Sequence, residues 1–282
     1  LSRLYGVPQE KLMPWHYQSR FFQTPPNIYK IDFDNYYKNK NPEDLVRKYF
    51  NGIGLNLDEV FEKSSLYPAK GKAQLAYSVN IDKLGDVRIL ANLRNDYASI
   101  STLMYEAGFS AYLHNISNDL PYTLHEPAHF LANDAVATLF SRFASDPSWL
   151  NMAVGVSDKE IERIRNLTAL NLRLEKFVFA QWAQVMYRFE KALYENPDQD
   201  LNKLWWDLVE TYQMMKRPKG RNQPDWAAKA HIINMPCSYH NYMLGELLAS
   251  QLYTYISENI VVKSERCAAG CWDNPEFGPI TE

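Results

Sequence analysis

The 282 residues include 46% hydrophobic side chains and carry 33 acids against 30 basic groups, for a formal charge of −3. That is enough apolar material for a substantial core, and no Lys/Arg block is present of the kind that tracks a phosphate backbone, which excludes nucleic acid as the expected partner. No apolar run reaches the roughly 18 residues of a membrane span, and the 14% aromatic content, with 19 Tyr and 7 Trp, suits a deep groove or a large interface.

Residues 1–40 are rich in Pro, Tyr and Phe without a sustained period, as in Met13-Pro14-Trp15-His16-Tyr17, and read as an extended lead-in. Asn41 ahead of Pro42 is an N-cap followed by proline at the first helical position, which opens a helix to about Asn51; a second follows Asn56. Two short apolar runs, Ala76–Ile81 and Val87–Ala91, flank Lys83-Leu84-Gly85-Asp86 and predict a hairpin. From Asp96 onward apolar residues recur at three and four. Helices are predicted over roughly Asp96–Ile116, Pro127–Ala144, Asp158–Tyr194, Leu201–Met215 and Tyr239–Ser257.

Trp205, Trp206 and the series Phe177, Phe179, Trp182, Tyr187 have helical spacing and are expected in the core. The basic, Pro/Gly-broken stretch Lys216–Pro224 reads as a solvated connector. The fold class is mainly α with one small β-hairpin, organised as the lead-in, a helical body over residues 41–262 and an irregular tail over 263–282. Cys237, Cys267 and Cys271 are expected as free thiols, with a local disulfide as the alternative, because the Cys-x-x-x-Cys pair lacks the further ligands of a structural zinc site.

The segment Tyr105-Glu106-Ala107-Gly108-Phe109 has the frame of a zinc-peptidase helix. There, two His at i and i+4 share one face and a Glu beside the first activates the metal-bound water. Here only the Glu and the Gly remain. Alone, such a segment is bland, since a Glu on an aromatic-flanked helix is ordinarily a solvated or capping carboxylate. Two further segments follow it in order, His125-Glu126-Pro127-Ala128-His129 running into Asn133-Asp134-Ala135, and Lys229-Ala230-His231 running through Tyr239 to Tyr242.

Together these segments resemble the angiotensin-converting-enzyme-like peptidyl-dipeptidases, including bacterial members, and more distantly the thimet-type oligopeptidases. The resemblance runs from about Tyr49 to Tyr255 and covers the C-terminal half of such an enzyme. It implies a helical zincin-like fold and a peptide in a groove, with a missing N-terminal half of the same protein as a further partner. By the resemblance, Tyr105 and Phe109 fall on the two His ligands, Asp134 on the third ligand and Glu106 on the general base. His231 and Tyr242 fall on the pair that stabilises the oxyanion, Lys229 and Tyr239 on the pair that holds the substrate's C-terminal carboxylate, and Ala76 to Ser78 on an edge strand that pairs with peptide.

The departures fall on the metal. Phe109 offers no lone pair, a protonated Tyr105 is a poor ligand, and Asp134 is one methylene shorter than Glu. The expectation is therefore a peptidase-like chain without bound zinc or hydrolysis that keeps a peptide groove. The alternatives are an active zinc dipeptidyl carboxypeptidase with Glu106 as base, and a purely structural helical domain. His125 and His129, four apart, are the candidates for a relocated metal pair, although Pro127 between them favours a helix start. A core role is the competing reading for His231, and a packing role for Tyr239 and Tyr242.

Overall fold

A computed structural model describes residues 1–19 and 21–261. The expected tail and the Cys267/Cys271 pair lie outside the described residues. The longer elements are α1 (Pro42–Gly52), α2 (Asp58–Lys63), β1 (Tyr77–Asn80), β2 (Val87–Leu90), α3 (Tyr97–His114), α4 (Phe130–Ser141), α5 (Asp158–Glu195), α6 (Leu201–Gln213) and α7 (His240–Ile256). The fold is mainly α, as its periodicity predicts. The chain forms two compact units, one of Leu1–Ile31 with Ala169–Leu244, the other of Asp32–Thr168 with Gly245–Glu282.

Caps place most helix starts where the sequence puts them. Asn41 Oδ1 accepts from the Glu43 amide at 2.9 Å ahead of α1, and Asp96 Oδ1 accepts from Ser99 at 2.8 Å ahead of α3, each satisfying an amide that has no partner within its helix. Two expectations are corrected. The lead-in is not extended but folded into short helical turns at Ser2–Tyr5, Gln9–Lys11, Pro14–Tyr17 and Phe33–Tyr37. The helix expected from Pro127 begins at Phe130, because the cap is His129, whose Nδ1 accepts from the Leu131 amide at 3.1 Å.

In the unit containing α3, the core is built on Ile100, Leu103, Met104, Ala107 and Ala111 of that helix, with Phe50, Phe140 and Trp149, all nearly inaccessible. Gly108 sets how closely α3 approaches α4. A Cβ at this position would stand 2.6 Å from Phe140 Cδ2 and 3.2 Å from the Ala137 Cα, a backbone atom that cannot turn aside. Gly108→Ala should therefore lose about 1–3 kcal/mol in urea unfolding despite alanine's better helix propensity. A neutral or stabilising effect would show that the two helices can separate without loss.

The hairpin is antiparallel, with Tyr77 opposite Leu90 and Asn80 opposite Val87. Its tip needs Gly85 at φ 112, and Asp82 Oδ1 accepts from Leu84 and Asp86 across the turn. β1 is the outer strand. It turns Tyr77 and Val79 to solvent and holds Ser78 half-buried, while Val87 and Ile89 of β2 are buried.

The other unit packs Trp182, Val185, Met186 and Phe189 of α5 against Trp205, Trp206 and Val209 of α6. Trp205 meets Trp182 and Phe189 edge-on, with ring centres 5.7 and 5.2 Å apart. Both indoles of α6 are core residues as expected. Phe177 and Tyr187 are not: they stand 61% and 43% exposed, so the aromatic series on α5 does not share one buried face.

Candidate functional site

In the unit of α3, four sequence-predicted residues come together. Tyr105 and Phe109, one turn apart, lay their rings side by side with centres 6.5 Å apart and planes 28° from parallel. The Tyr105 hydroxyl donates to Asp134 Oδ1 of α4 at 2.5 Å, joining two of the ligand positions to each other. Asp134 is 1% exposed, and α7 backs it closely. A Cβ on Gly245 would lie 2.1 Å from Asp134 Oδ2, so only glycine fits there.

Glu106 is also buried and turns toward the hairpin. Ser78 Oγ donates to Glu106 Oε2 at 2.6 Å and lies 3.0 Å from the Glu106 carbonyl, tying β1 to α3. Burial pushes the Glu106 carboxyl from its ordinary 4.5 up to about 7, against the smaller opposing pull of the Ser78 hydroxyl. Ala76, Tyr105 and Glu106 line a cavity of about 620 Å³ with Leu75, Arg94 and Ser101. Ser78, on the strand expected to pair with peptide, commits its side chain to Glu106.

Zinc needs nitrogen, sulfur or oxygen donors converging at about 2.0–2.3 Å in a tetrahedron. These residues do not supply that set. Phe109 has no donor atom, the Tyr105 oxygen carries a proton directed at Asp134, and Glu106 is engaged with Ser78. Among the described residues no group of three or more His, Cys, Asp and Glu is placed to hold a metal. His125 and His129 do not share a helix face. His125 is buried after a turn of 3₁₀ helix with Nε2 2.7 Å from the Leu120 carbonyl, and His129 caps α4.

The second cluster lies in the other unit and is complete within it. Lys229, 7% exposed, donates to Gln23 Oε1 at 3.0 Å. Its ammonium stands 4.8, 5.6 and 5.4 Å from the ring centres of Phe21, Trp182 and Tyr239, a cage of aromatic faces. Burial lowers this amine from 10.5 to about 8. Tyr239 accepts from Trp182 Nε1 at 2.6 Å, and burial raises its phenol well above the ordinary range.

His231 packs edge-on to Tyr239 and Tyr242, with ring centres 5.3 and 5.8 Å away, and its Nε2 lies 3.3 Å from the Tyr242 hydroxyl. Burial, with Lys229 nearby, pushes the imidazole down to about 4, so it is neutral at pH 7. Gln23 and Phe21 were not legible in the sequence as members of this cluster, and Trp182 was legible only as a core residue. Gln23 lies 206 positions from Lys229 inside a stretch without period, and no local pattern points from one to the other.

The protein is thus mainly helical, with a Glu-bearing helix crossed closely by a second helix and bonded to an edge hairpin in one unit, and a buried Lys/His/Tyr cluster in the other. A family model described as angiotensin-converting enzyme matches residues 27–265. The chain belongs to that family of zinc metallopeptidases. Among the curated proteins, none matches it.

Proposed function

We propose that this chain is a peptidase-scaffold protein that has lost zinc and hydrolysis and binds peptides through their free C-terminus. The observation that carries the reading is the donor chemistry at the three ligand positions: a phenyl ring, a phenol committed to its neighbour, and the carboxylate that accepts from it. Lys229, Gln23 and Tyr239 supply the complement to a carboxylate: an ammonium, an amide and a hydroxyl within one cluster. Tyr242 and neutral His231 offer a hydroxyl and an imidazole for a backbone carbonyl.

Calorimetric titration with a short peptide should give saturable binding, and amidating its C-terminus should abolish it. The pH dependence follows from Lys229. A carboxylate takes the protonated amine, which is charged below about 8 in the free protein. Affinity is therefore flat at lower pH and falls as pH rises through that value, approaching tenfold per pH unit. Equal affinity for the amide, or a flat profile up to pH 10, would remove Lys229 from this role.

A second reading, an active zinc dipeptidyl carboxypeptidase with Glu106 as general base, is favoured by one observation: a carboxyl poised at about 7 is suited to taking a proton near neutrality. Stoichiometric zinc in the purified protein, with chelator-sensitive cleavage of a blocked peptide, would establish it and overturn the first.

A further inference from the structure

A second cavity, lined by aromatic residues, belongs to the unit of α6. It measures about 1080 Å³ and is lined by Trp15, Phe21 and Phe22 of the lead-in, Trp205 and Trp206 of α6, and the loop Pro218–Gln223. Trp205 and Trp206 are buried, whereas Trp15 is 63% exposed.

Both walls are fixed. Gln213 Nε2 donates to the Phe22 carbonyl at 2.7 Å, the Tyr17 hydroxyl to the Gln213 carbonyl at 3.3 Å, and the Lys216 amide to the Leu12 carbonyl at 2.9 Å. Gln18 and Phe22 are held at φ 54 and 60, a left-handed conformation that non-glycine residues adopt only under constraint.

The basic loop is a largely exposed connector, as expected, and it also lines the cavity. Arg221 pairs with Asp225, which also accepts from Trp206 Nε1 at 3.2 Å. Arg217 donates to the Arg221 carbonyl at 2.5 Å and to Asn222 Oδ1 at 3.1 Å. Both guanidinium groups are thus engaged within the loop. Lys219 makes no ion pair among the described residues and is exposed where it lines the cavity.

We propose that this cavity binds a small aromatic carboxylate, its ring among Trp15, Phe22 and Trp206 and its acid at Lys219. Flat apolar walls select a flat apolar body, and the one uncommitted cation selects the anion. The proposal does not rest on the peptide reading: it uses none of Lys229, His231, Tyr239 or Tyr242, and shares with that cluster only the Phe21 ring.

Calorimetry with naphthylacetate and its neutral isostere naphthylacetamide tests it. The acid should bind saturably and about threefold more tightly than the amide, the modest gain of an exposed charge pair. Lys219→Gln should erase that preference and leave amide binding unchanged. Trp15→Ala should weaken both by about tenfold, as loss of an aromatic anchor does. Both side chains are exposed, so neither change threatens the fold. Absence of saturable binding by either probe, an acid preference that survives Lys219→Gln, or indifference to Trp15→Ala would each overturn the proposal.

Discussion

Changing two rings on α3, Tyr105→His together with Phe109→His, is expected to give a chain that holds one zinc ion per molecule through dialysis. The spacing of four residues already puts both side chains on one face, and their rings already lie side by side. Imidazoles of similar outline can replace them without reopening the packing against α4. Removing the phenol also takes away the proton that Asp134 Oδ1 now accepts, and this carboxylate is the third donor. Two imidazoles and a carboxylate, with water in the fourth position, make a complete zinc site.

Affinity should rise by at least about a thousandfold over the parent chain, read by elemental analysis after dialysis and by competition with a chromophoric chelator. Tyr105→His alone leaves a phenyl ring at the other position and should gain far less. Asp134 is best left unchanged, because α7 at Gly245 leaves no room for a longer acid on that side. If the double variant keeps its helical spectrum and still loses zinc on dialysis, α3 and α4 do not form the metal frame that the peptide-binding reading assumes.

The second large effect is on stability and comes from Glu106→Gln. In the folded chain this carboxyl titrates at about 7 rather than 4.5, so the folded state holds the proton more tightly than the unfolded state. Between those two values the unfolded chain ionises first, and stability falls as pH rises through the window. Above about 7 the full cost of a buried carboxylate is present, roughly 3 kcal/mol for a shift of this size. Glutamine keeps the outline and can still accept from Ser78 while removing the charge. The variant should match the parent below pH 4.5 and exceed it by roughly that amount at pH 8, as the difference between paired urea titrations. Equal stability at both pH values would mean that water reaches Glu106 and relieves its burial.

How far the sequence anticipated this arrangement can be followed residue by residue. Asn41 announced its helix because capping is local chemistry, readable from adjacent positions, and the helix after Asp96 was legible from its apolar spacing. Pro127 misled for the same kind of reason: proline is welcome at a helix start, but His129 offered a cap nearer the apolar run. Phe177 and Tyr187 misled differently. Helical spacing tells which residues can share a face, and a helix of 38 residues has more faces than its neighbours cover. The order Glu106, Asp134, Lys229, His231, Tyr239, Tyr242 was legible through family resemblance, and the structure gathers the last four into one cluster. Gln23 was not, since a single amide in an aperiodic stretch carries no mark of the lysine it will meet.

The hairpin carries a hazard of its own. β1 lies at the sheet's edge with Tyr77 and Val79 outward, and Leu75 and Ile81 just beyond its ends are 64% and 57% exposed, an alternating apolar row beside unpaired main-chain groups. Such a row invites self-association, and what opposes it here is brevity: four residues of strand, closed by the Gly85 turn, with the charged Arg88 opposite Val79. Any change that lengthened β1, or exchanged Arg88 for an apolar residue, would trade this short edge for a template on which fibrils can grow.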